Sequence, residues 1–446
     1  MRYKYQSSNF GLGERLTGRT FRRQFLGLMT GHVSIAVASF ASLAFLARLV
    51  SVEEFGRVIF AQAVAASLFT FLDPALEDGL LRFVPLVVKQ GKRGDATALF
   101  DRVLLIDGLV GIVFAVMGIT ILWSGVIPLG RVGHPDFLML ALLQGGLQAA
   151  QGTAGAAFSL TDGLVQWGFL RASASALTAA AAVLALVLSG DPIWYMAALA
   201  LASGSSTMTF GVLAARRMRN EWGLPRKLPA DGMGRFVRFS LLASVTTSVS
   251  IGTESLPLSI IGLVGGPIML SNFRIGLAPA RLTTTAFSPL PTILFPLLSR
   301  DAAEEEYEKV KDRILGWTRL SIPIAAALGL VSWVLLPFAV PLIFGPNFVS
   351  AVQPARILVL AALVRSSIAW SRVFPLSMGR PGVGFFMSTI DASLLVAATF
   401  WFAKTGTVTT VAFANLGIAL LISLAWIWIA RSLAVPRRHL PFAEAR

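Results

Sequence analysis

The sequence predicts an all-α polytopic membrane protein with about twelve transmembrane helices in two pseudo-symmetric six-helix bundles. Three observations predict it: a composition too apolar for water along the whole chain, twelve apolar runs of spanning length, and an internal repeat. The 446 residues are 55% hydrophobic and only 14% charged, with a mean hydropathy of +0.72. Soluble domains carry about 25% charged residues, so a chain this depleted throughout has lipid as its main solvent. There is no cysteine, and His32, His134 and His439 lie far apart. The chain thus lacks a disulfide framework and a zinc or haem motif, and no metal or cofactor is expected.

A helix crossing about 30 Å of hydrocarbon needs roughly 20 apolar residues. The first half offers Phe25 to Leu46, Val58 to Leu76, Val103 to Trp123, Phe137 to Leu160, Ala172 to Leu188 and Ile193 to Val212. The second offers Phe239 to Leu258, Met269 to Phe295, Ser321 to Leu342, Ile357 to Phe374, Phe385 to Ala403 and Val408 to Ala430. The expected units are a cytoplasmic N-terminal segment (1–24), a first bundle (25–212), a linker (213–238), a second bundle (239–430) and a cytoplasmic tail (431–446).

The formal net charge of +15 would suit a nucleic-acid partner if it formed a groove. It sits in alternate loops instead. One side carries Arg15, Arg19, Arg22 and Arg23, then Lys89, Lys92 and Arg93, then the arginines from Arg216 to Arg238, then Arg300 to Arg313 and the tail. The other side has little beyond Arg48, Arg57, Arg131, Arg356 and Lys404. Lysine and arginine in short loops mark the cytoplasmic side, so both termini are expected there and nucleic acid is not a partner. Arg22-Arg23 before the first span serves insertion on this reading, rather than a twin-arginine export signal.

Aligned with itself at an offset of 211, the chain repeats. Pro85-Leu86 meets Pro296-Leu297, Asp101-Arg102-Val103-Leu104 meets Asp312-Arg313-Ile314-Leu315, and Pro135-Asp136-Phe137 meets Pro346-Asn347-Phe348. After five inserted residues, Leu160-Thr161-x-Gly163-x4-Gly168-Phe169 meets Leu376-Ser377-x-Gly379-x4-Gly384-Phe385. Matches in one order at equivalent topology mark a duplication. Six spans per half make the repeats parallel about the membrane normal, an arrangement in which two bundles rock around a site between them. A channel or a scaffold of duplicated helices is the alternative.

A charge at mid-bilayer costs about 2.5 to 3.5 kcal/mol on insertion scales, so charged residues inside spans should have a partner or a task. Arg274 and Arg281 lie seven apart in span eight, and Arg365 and Arg372 seven apart in span ten. Seven residues is nearly two turns, which places each pair on one stripe about 10 Å apart along the axis. Arginine's planar fork suits phosphate or carboxylate oxygens. With Arg48 and Arg82 these form the expected substrate-binding set, against snorkelling to an interface for the members nearer the ends. Intramembrane acids are Asp73 and Glu77 at the end of span two, Glu254 in span seven and Asp391 in span eleven. Gly252 and Pro257 flank Glu254 and predict a kink or break there. Glu254, Asp391 and Asp73 are the expected ion-coupling residues, against plain neutralisation of nearby arginines. The run Glu304-Glu305-Glu306 with Glu308 has no ligand spacing and reads as a solvated face.

The chain resembles the polysaccharide exporters, the O-antigen (Wzx-type) flippases, of the superfamily that also holds the MATE drug antiporters and the lipid-linked peptidoglycan-precursor flippases. Leu49-Val50-Ser51-Val52-Glu53-Glu54-Phe55-Gly56 is similar to the family's Leu-x-x-x-x-Phe-Gly element, and Glu77-Asp78-Gly79-Leu80-Leu81-Arg82 closes span two. Phe295-Pro296-Leu297-Leu298-Ser299 is similar to its Pro-x-x-Ser ending of span eight, and Phe344-Gly345-Pro346-Asn347-Phe348 to its Phe-Gly-x-x-Phe/Tyr element. The chain departs where many members have Gly-x-Tyr-x-x-Ala, with Ser271-Asn272-Phe273-Arg274-Ile275-Gly276 instead.

The resemblance implies a MATE-like fold in the bacterial inner membrane. It implies flipping of a polyprenyl-diphosphate-linked oligosaccharide from the cytoplasmic to the outer leaflet, for O-antigen or exopolysaccharide biosynthesis. The implied partners are that substrate, membrane lipids, a proton or sodium ion for coupling, and a polysaccharide polymerase and chain-length regulator. No Gly-x4-Gly-Lys-Ser/Thr occurs, so ATP is not the expected driver. The alternatives are a cation-coupled small-molecule antiporter of the same fold and a membrane enzyme of glycan polymerisation or ligation. The enzyme would need a large outward loop, and each here is only about 4 to 14 residues by the boundaries above. A transporter rather than an enzyme is expected.

Overall fold

A computed structural model describes residues 18–125, 133–226, 233–287, 290–304 and 306–433, with backbone alone at 18–30, 245–254 and a few further helical positions. Every regular element among them is helical: α1 (Gly18–Leu49), α2 (Val52–Leu72), α3 (Leu76–Lys89), α4 (Arg93–Trp123), α5 (Pro135–Gln148), α6 (Gln151–Leu160), α7 (Leu164–Ser189), α8 (Pro192–Trp222), α9 (Met233–Phe287), α10 (Leu290–Ala303), α11 (Tyr307–Phe344), α12 (Val352–Ser367), α13 (Phe374–Ser377), α14 (Pro381–Thr405) and α15 (Val408–Leu433). Short 3-10 turns cover Pro346–Ala351 and Ala369–Arg372.

Among the described residues all twelve predicted runs fall in helical segments, and most helices overshoot them. Hydropathy reports only the hydrocarbon-immersed stretch, whereas the helix continues into the headgroup region with charged residues on it. Thus α4 starts at Arg93 rather than Val103, while α8 and α9 extend into the expected linker from both sides. Residues 1–17, 227–232 and 434–446, where most of the N-terminal segment, the middle of the linker and most of the tail fall, lie outside the described residues. Nine helical stretches among the described residues are each long and apolar enough to cross a membrane alone. The other runs are α1, of which Val33–Leu49 qualifies as a shorter apolar helix, span seven, which shares α9 with span eight, and span four, split between α5 and α6.

Among the described residues three of the spans are broken, and the break of span four recurs in span ten. Span two divides into α2 and α3 at Asp73-Pro74-Ala75. Pro74 has no N–H to continue the ladder, and Ala75 takes φ 44 with its N–H donated to Asp73 Oδ1 at 3.1 Å. Span two therefore runs on to Lys89, and Asp73 and Glu77 lie at its central break rather than at its end. Span four divides at Ala149–Ala150 and span ten after Ser367. Spans seven and eight turn about Gly266, whose φ of 84 and ψ of 175 suit glycine alone, with Pro267 opening the next stretch. The break expected beside Glu254 is absent: Gly266 is the non-helical residue within α9, and the helix continues past Pro257. Membrane helices tolerate an internal proline where neighbours satisfy the freed carbonyl.

The two halves meet chiefly along α2 and α9. At the end of the seam poor in basic residues, a Cβ on Gly56 would lie 2.1 Å from the Pro267 carbonyl oxygen, so only glycine permits that approach. Ser271 Oγ donates there to the Val52 carbonyl at 2.6 Å. Midway, the Ser67 and Ser259 hydroxyls are 3.1 Å apart. At the basic end, Phe83 of α3 packs edge-on against Phe236 and Phe239. Two of the four sequence elements that carry the family resemblance touch each other. Ser51 and Glu54 form a capping box that starts α2, contributing about 1 kcal/mol. Phe55 then buries its ring edge-on against Phe348, with centroids 5.5 Å apart. Phe40 meets Phe344 in the same way at 5.3 Å.

Candidate functional site

Arg274 and Arg281 both lie half-buried on the second stretch of α9. Arg274 is within electrostatic reach of Tyr195 on α8. The buried Tyr195 hydroxyl is in turn hydrogen-bonded to Ser42 of α1 at 2.8 Å. Arg274 therefore belongs to a surface shared between halves. Two residues earlier, Asn272 donates to the Ile268 carbonyl at 2.9 Å and accepts from Ser350 at 2.7 Å, fixing this stretch to the turn before α12.

The second expected pair is arranged differently. Arg365 closes α12, which ends at Ser367, whereas Arg372 closes the following 3-10 turn and is exposed. A seven-residue stripe requires a continuous helix, so the two do not share one. Arg365 makes a forked ion pair with Asp391 of α14, Nη1 to Oδ2 at 2.6 Å and Nη2 to Oδ1 at 3.1 Å. A residue expected to hold cargo and one expected to couple an ion are thus each other's partner. The pairing offsets part of the cost of holding two charges in a low-dielectric setting.

The remaining expected residues are scattered. Arg48, exposed, donates Nε to the Ile343 carbonyl at 2.8 Å and Nη2 to that of Leu342. It covers last-turn carbonyls of α11, where a cation complements the helix dipole, and borders a cavity of about 210 Å³ with Phe344 and Gly345. Arg82 lies 4.4 Å from the centre of the Phe239 ring, on the other side of the seam. Asp73 caps α2. Glu254 stands in α9 with its side chain outside the described residues. The acidic run on the basic face is neutralised locally, by Arg300 on Glu304 at 3.0 Å, Lys309 on Glu306 at 2.6 Å and Lys311 on Glu308 at 3.2 Å.

Sequence reasoning missed Asp107. It is buried in α4 and accepts a hydrogen bond from Thr153 of α6. Beside it, the Glu77 carboxyl packs so closely on Gly152 that a Cβ there would lie 2.9 Å from Oε1. Asp107 is also within electrostatic reach of both Glu77 and Asp73, so three acids from spans two and three gather at the break of span two and the second piece of span four. The signal was available: Asp107 is a carboxylate inside the third apolar run. The second half has a counterpart. Thr318 lies 211 residues on from Asp107, and Thr318 Oγ1 accepts from Trp370 Nε1 at 3.0 Å, again joining the third span of its half to the break of the fourth.

No family model and no curated protein matches the chain. Solved structures do. An inward-facing multidrug resistance MATE family transporter of the MOP superfamily aligns at a TM-score of 0.64 and 12% identity, over 91% of this chain and 98% of its own. The fold is that of the MATE transporters. A mutant of the Vibrio cholerae MATE transporter VcmN aligns at 0.62 and 13% identity, over 94% of this chain and 97% of its own. An outward-facing MATE family transporter gives 0.54 at 12% identity, over 93% and 95%. Identity this low carries the MATE fold and leaves the cargo to be argued from the chain's own residues.

Proposed function

We propose that the protein moves a polyprenyl-diphosphate-linked oligosaccharide from the cytoplasmic to the outer leaflet, for surface polysaccharide biosynthesis. Alternating access of two bundles, residues 25–212 and 239–430, would drive the movement. The observation that carries this reading is the position of Arg274 and Arg281 on span eight, with Arg274 within electrostatic reach of Tyr195 of the other half. A diphosphate must cross the membrane with counter-charge, and arginine stays charged at every relevant pH. The positive-inside bias places both termini and the basic end in the cytoplasm. On that orientation, Arg48, Phe55 and Gly56 seal the outer side. The Arg365–Asp391 pair holds the second bundle together on this reading, and coupling falls to other acids.

Reconstitution in vesicles with a fluorescent lipid-linked oligosaccharide tests the proposal. The wild type is expected to expose the labelled headgroup to an impermeant quencher. Arg274→Ala with Arg281→Ala should slow that exposure at least about tenfold while insertion and folding persist. Full transport by the double variant would remove the assigned site. A second reading, cation-coupled antiport of a small molecule, draws support from the acids Asp73, Glu77 and Asp107. It predicts that Asp107→Asn abolishes ion-driven dye uptake while leaving lipid movement untouched.

A further inference from the structure

A cavity of about 550 Å³ opens on the side of the first half between α7 and α8, away from the α2–α9 seam. Its walls are apolar, with Phe158, Phe169, Leu170 and Leu213 among them, and its polar members are Gln166 and Arg217. The volume falls within the roughly 300 to 1,000 Å³ of ordinary ligand sites. The cavity has a polar and an apolar direction. The antiparallel α7 and α8 bring Leu164 and Trp222 to one end, and Gln166 and Arg217 both lie nearer that end than Leu170 and Leu213. Arg217 is five residues from the end of α8, about 7 Å along the axis. Phe169 is 72% exposed, so this flank faces the lipid.

Arg217 is held in place before any ligand arrives. Its Nε donates to Thr161 Oγ1 at 2.6 Å, Nη2 to the Thr161 carbonyl at 2.6 Å, and Nη1 to Gln166 Oε1. The guanidinium lies 5.5 Å from the centre of the Phe158 ring. Phe158 stacks on Trp167, with centroids 5.4 Å apart, and Arg171 lies over Trp167 in turn at 5.8 Å. Three of the five guanidinium N–H groups are used, leaving one on each terminal nitrogen. Among the described residues Arg217 makes no ion pair, with neither the neighbouring Asp162 nor Glu221 one turn on. A fixed, uncompensated cation above an apolar slot in the bilayer calls for an anion that carries a hydrocarbon chain.

The geometry points to a binding site for one anionic glycerophospholipid of the leaflet at the basic end, its phosphate on Arg217 and an acyl chain in the α7–α8 cavity. The site is separate from the transport reading above and stands or falls apart from it. It gives the membrane a means of bracing α7 against α8 and the Thr161–Gly163 turn that joins α6 to α7.

Native mass spectrometry of the full-length protein in a neutral maltoside detergent tests it. Dioleoylphosphatidylglycerol, dioleoylphosphatidylcholine and inorganic phosphate are the probes. One phosphatidylglycerol should stay bound under conditions that strip phosphatidylcholine, and phosphate at equal concentration should not displace it. Arg217→Gln should lower retention about tenfold, the scale of one lost charge-assisted hydrogen bond. Leu213→Trp fills the slot while leaving every Arg217 contact in place. It should lower retention as much, and it decides the matter if Arg217→Gln fails to fold. Equal retention of phosphatidylcholine, displacement by phosphate alone, or wild-type retention in Leu213→Trp or in folded Arg217→Gln would overturn the site.

Discussion

At one place in the duplicated frame, the first half holds a carboxylate and the second a hydroxyl. Asp107 accepts from Thr153, and Thr318 accepts from Trp370, each bridge joining the third span of its half to the break of the fourth. The helix positions are shared, but the charges differ. Acids collect around Asp107 in the first half, whereas arginines dominate the spans of the second, where Asp391 is engaged by Arg365. Both halves need a side-chain bridge that ties the broken span to its neighbour. Which residues form it is not fixed by that need. The duplication therefore preserves where a polar contact stands, and divergence decides whether that contact is charged.

The largest effect should follow from breaking the ion pair between α12 and α14. Arg365→Ala strands Asp391, and the pair is intermediate between surface and core, with side-chain exposures of 31% and 20%. The expected loss is about 2 to 3 kcal/mol, between the values for exposed and buried pairs. Arg365→Met with Asp391→Leu should recover most of it. Thermal unfolding in detergent, run as a double-mutant cycle, checks both figures. A single variant as stable as wild type would show the pair to be incidental.

Next comes the same substitution applied to each half. Thr153→Val leaves the buried Asp107 without its donor and should cost about 2 kcal/mol, because an unsatisfied group costs more when it is charged. Asp107→Asn beside an intact Thr153 should cost less, since the amide oxygen still accepts. If Thr153→Val destabilises no more than a surface threonine does, the carboxylate is satisfied elsewhere and the contrast between halves weakens.

Much of the fold was legible because hydrophobic run length and the offset of 211 are properties of the chain alone. The breaks were harder. Asp73-Pro74-Ala75 and Gly266-Pro267 interrupt helices whose apolar pattern continues past them, so span two looked as though it ended where it only bends. Gly252 and Pro257 carried the same residue types without a break. The site was legible in its residue types but not its pairings. Arg365 and Asp391 lie 26 residues apart on different helices, and only the packing of α12 near α14 shows that they neutralise each other. Arg217 looked topological because its loop is basic. Its stacking on Phe158 and its bonds to Thr161 are tertiary facts.

The smallest effect should come from Thr318→Val, and its size relative to Thr153→Val is the sharpest measure of the difference between halves. Trp370 is 1% exposed and loses its acceptor, yet its indole N–H is neutral and its ring still packs edge-on against Phe374 and Trp426. A single neutral hydrogen bond is worth about 1 kcal/mol, and the added methyl recovers part of that through packing. The expected ordering is a loss near 1 kcal/mol here against about 2 kcal/mol for Thr153→Val, both read from unfolding in the same detergent. Equal losses would mean that the first-half bridge carries no more electrostatic weight than the second. The acids at Asp73, Glu77 and Asp107 would then be structural remnants of the frame rather than a feature the first half uses.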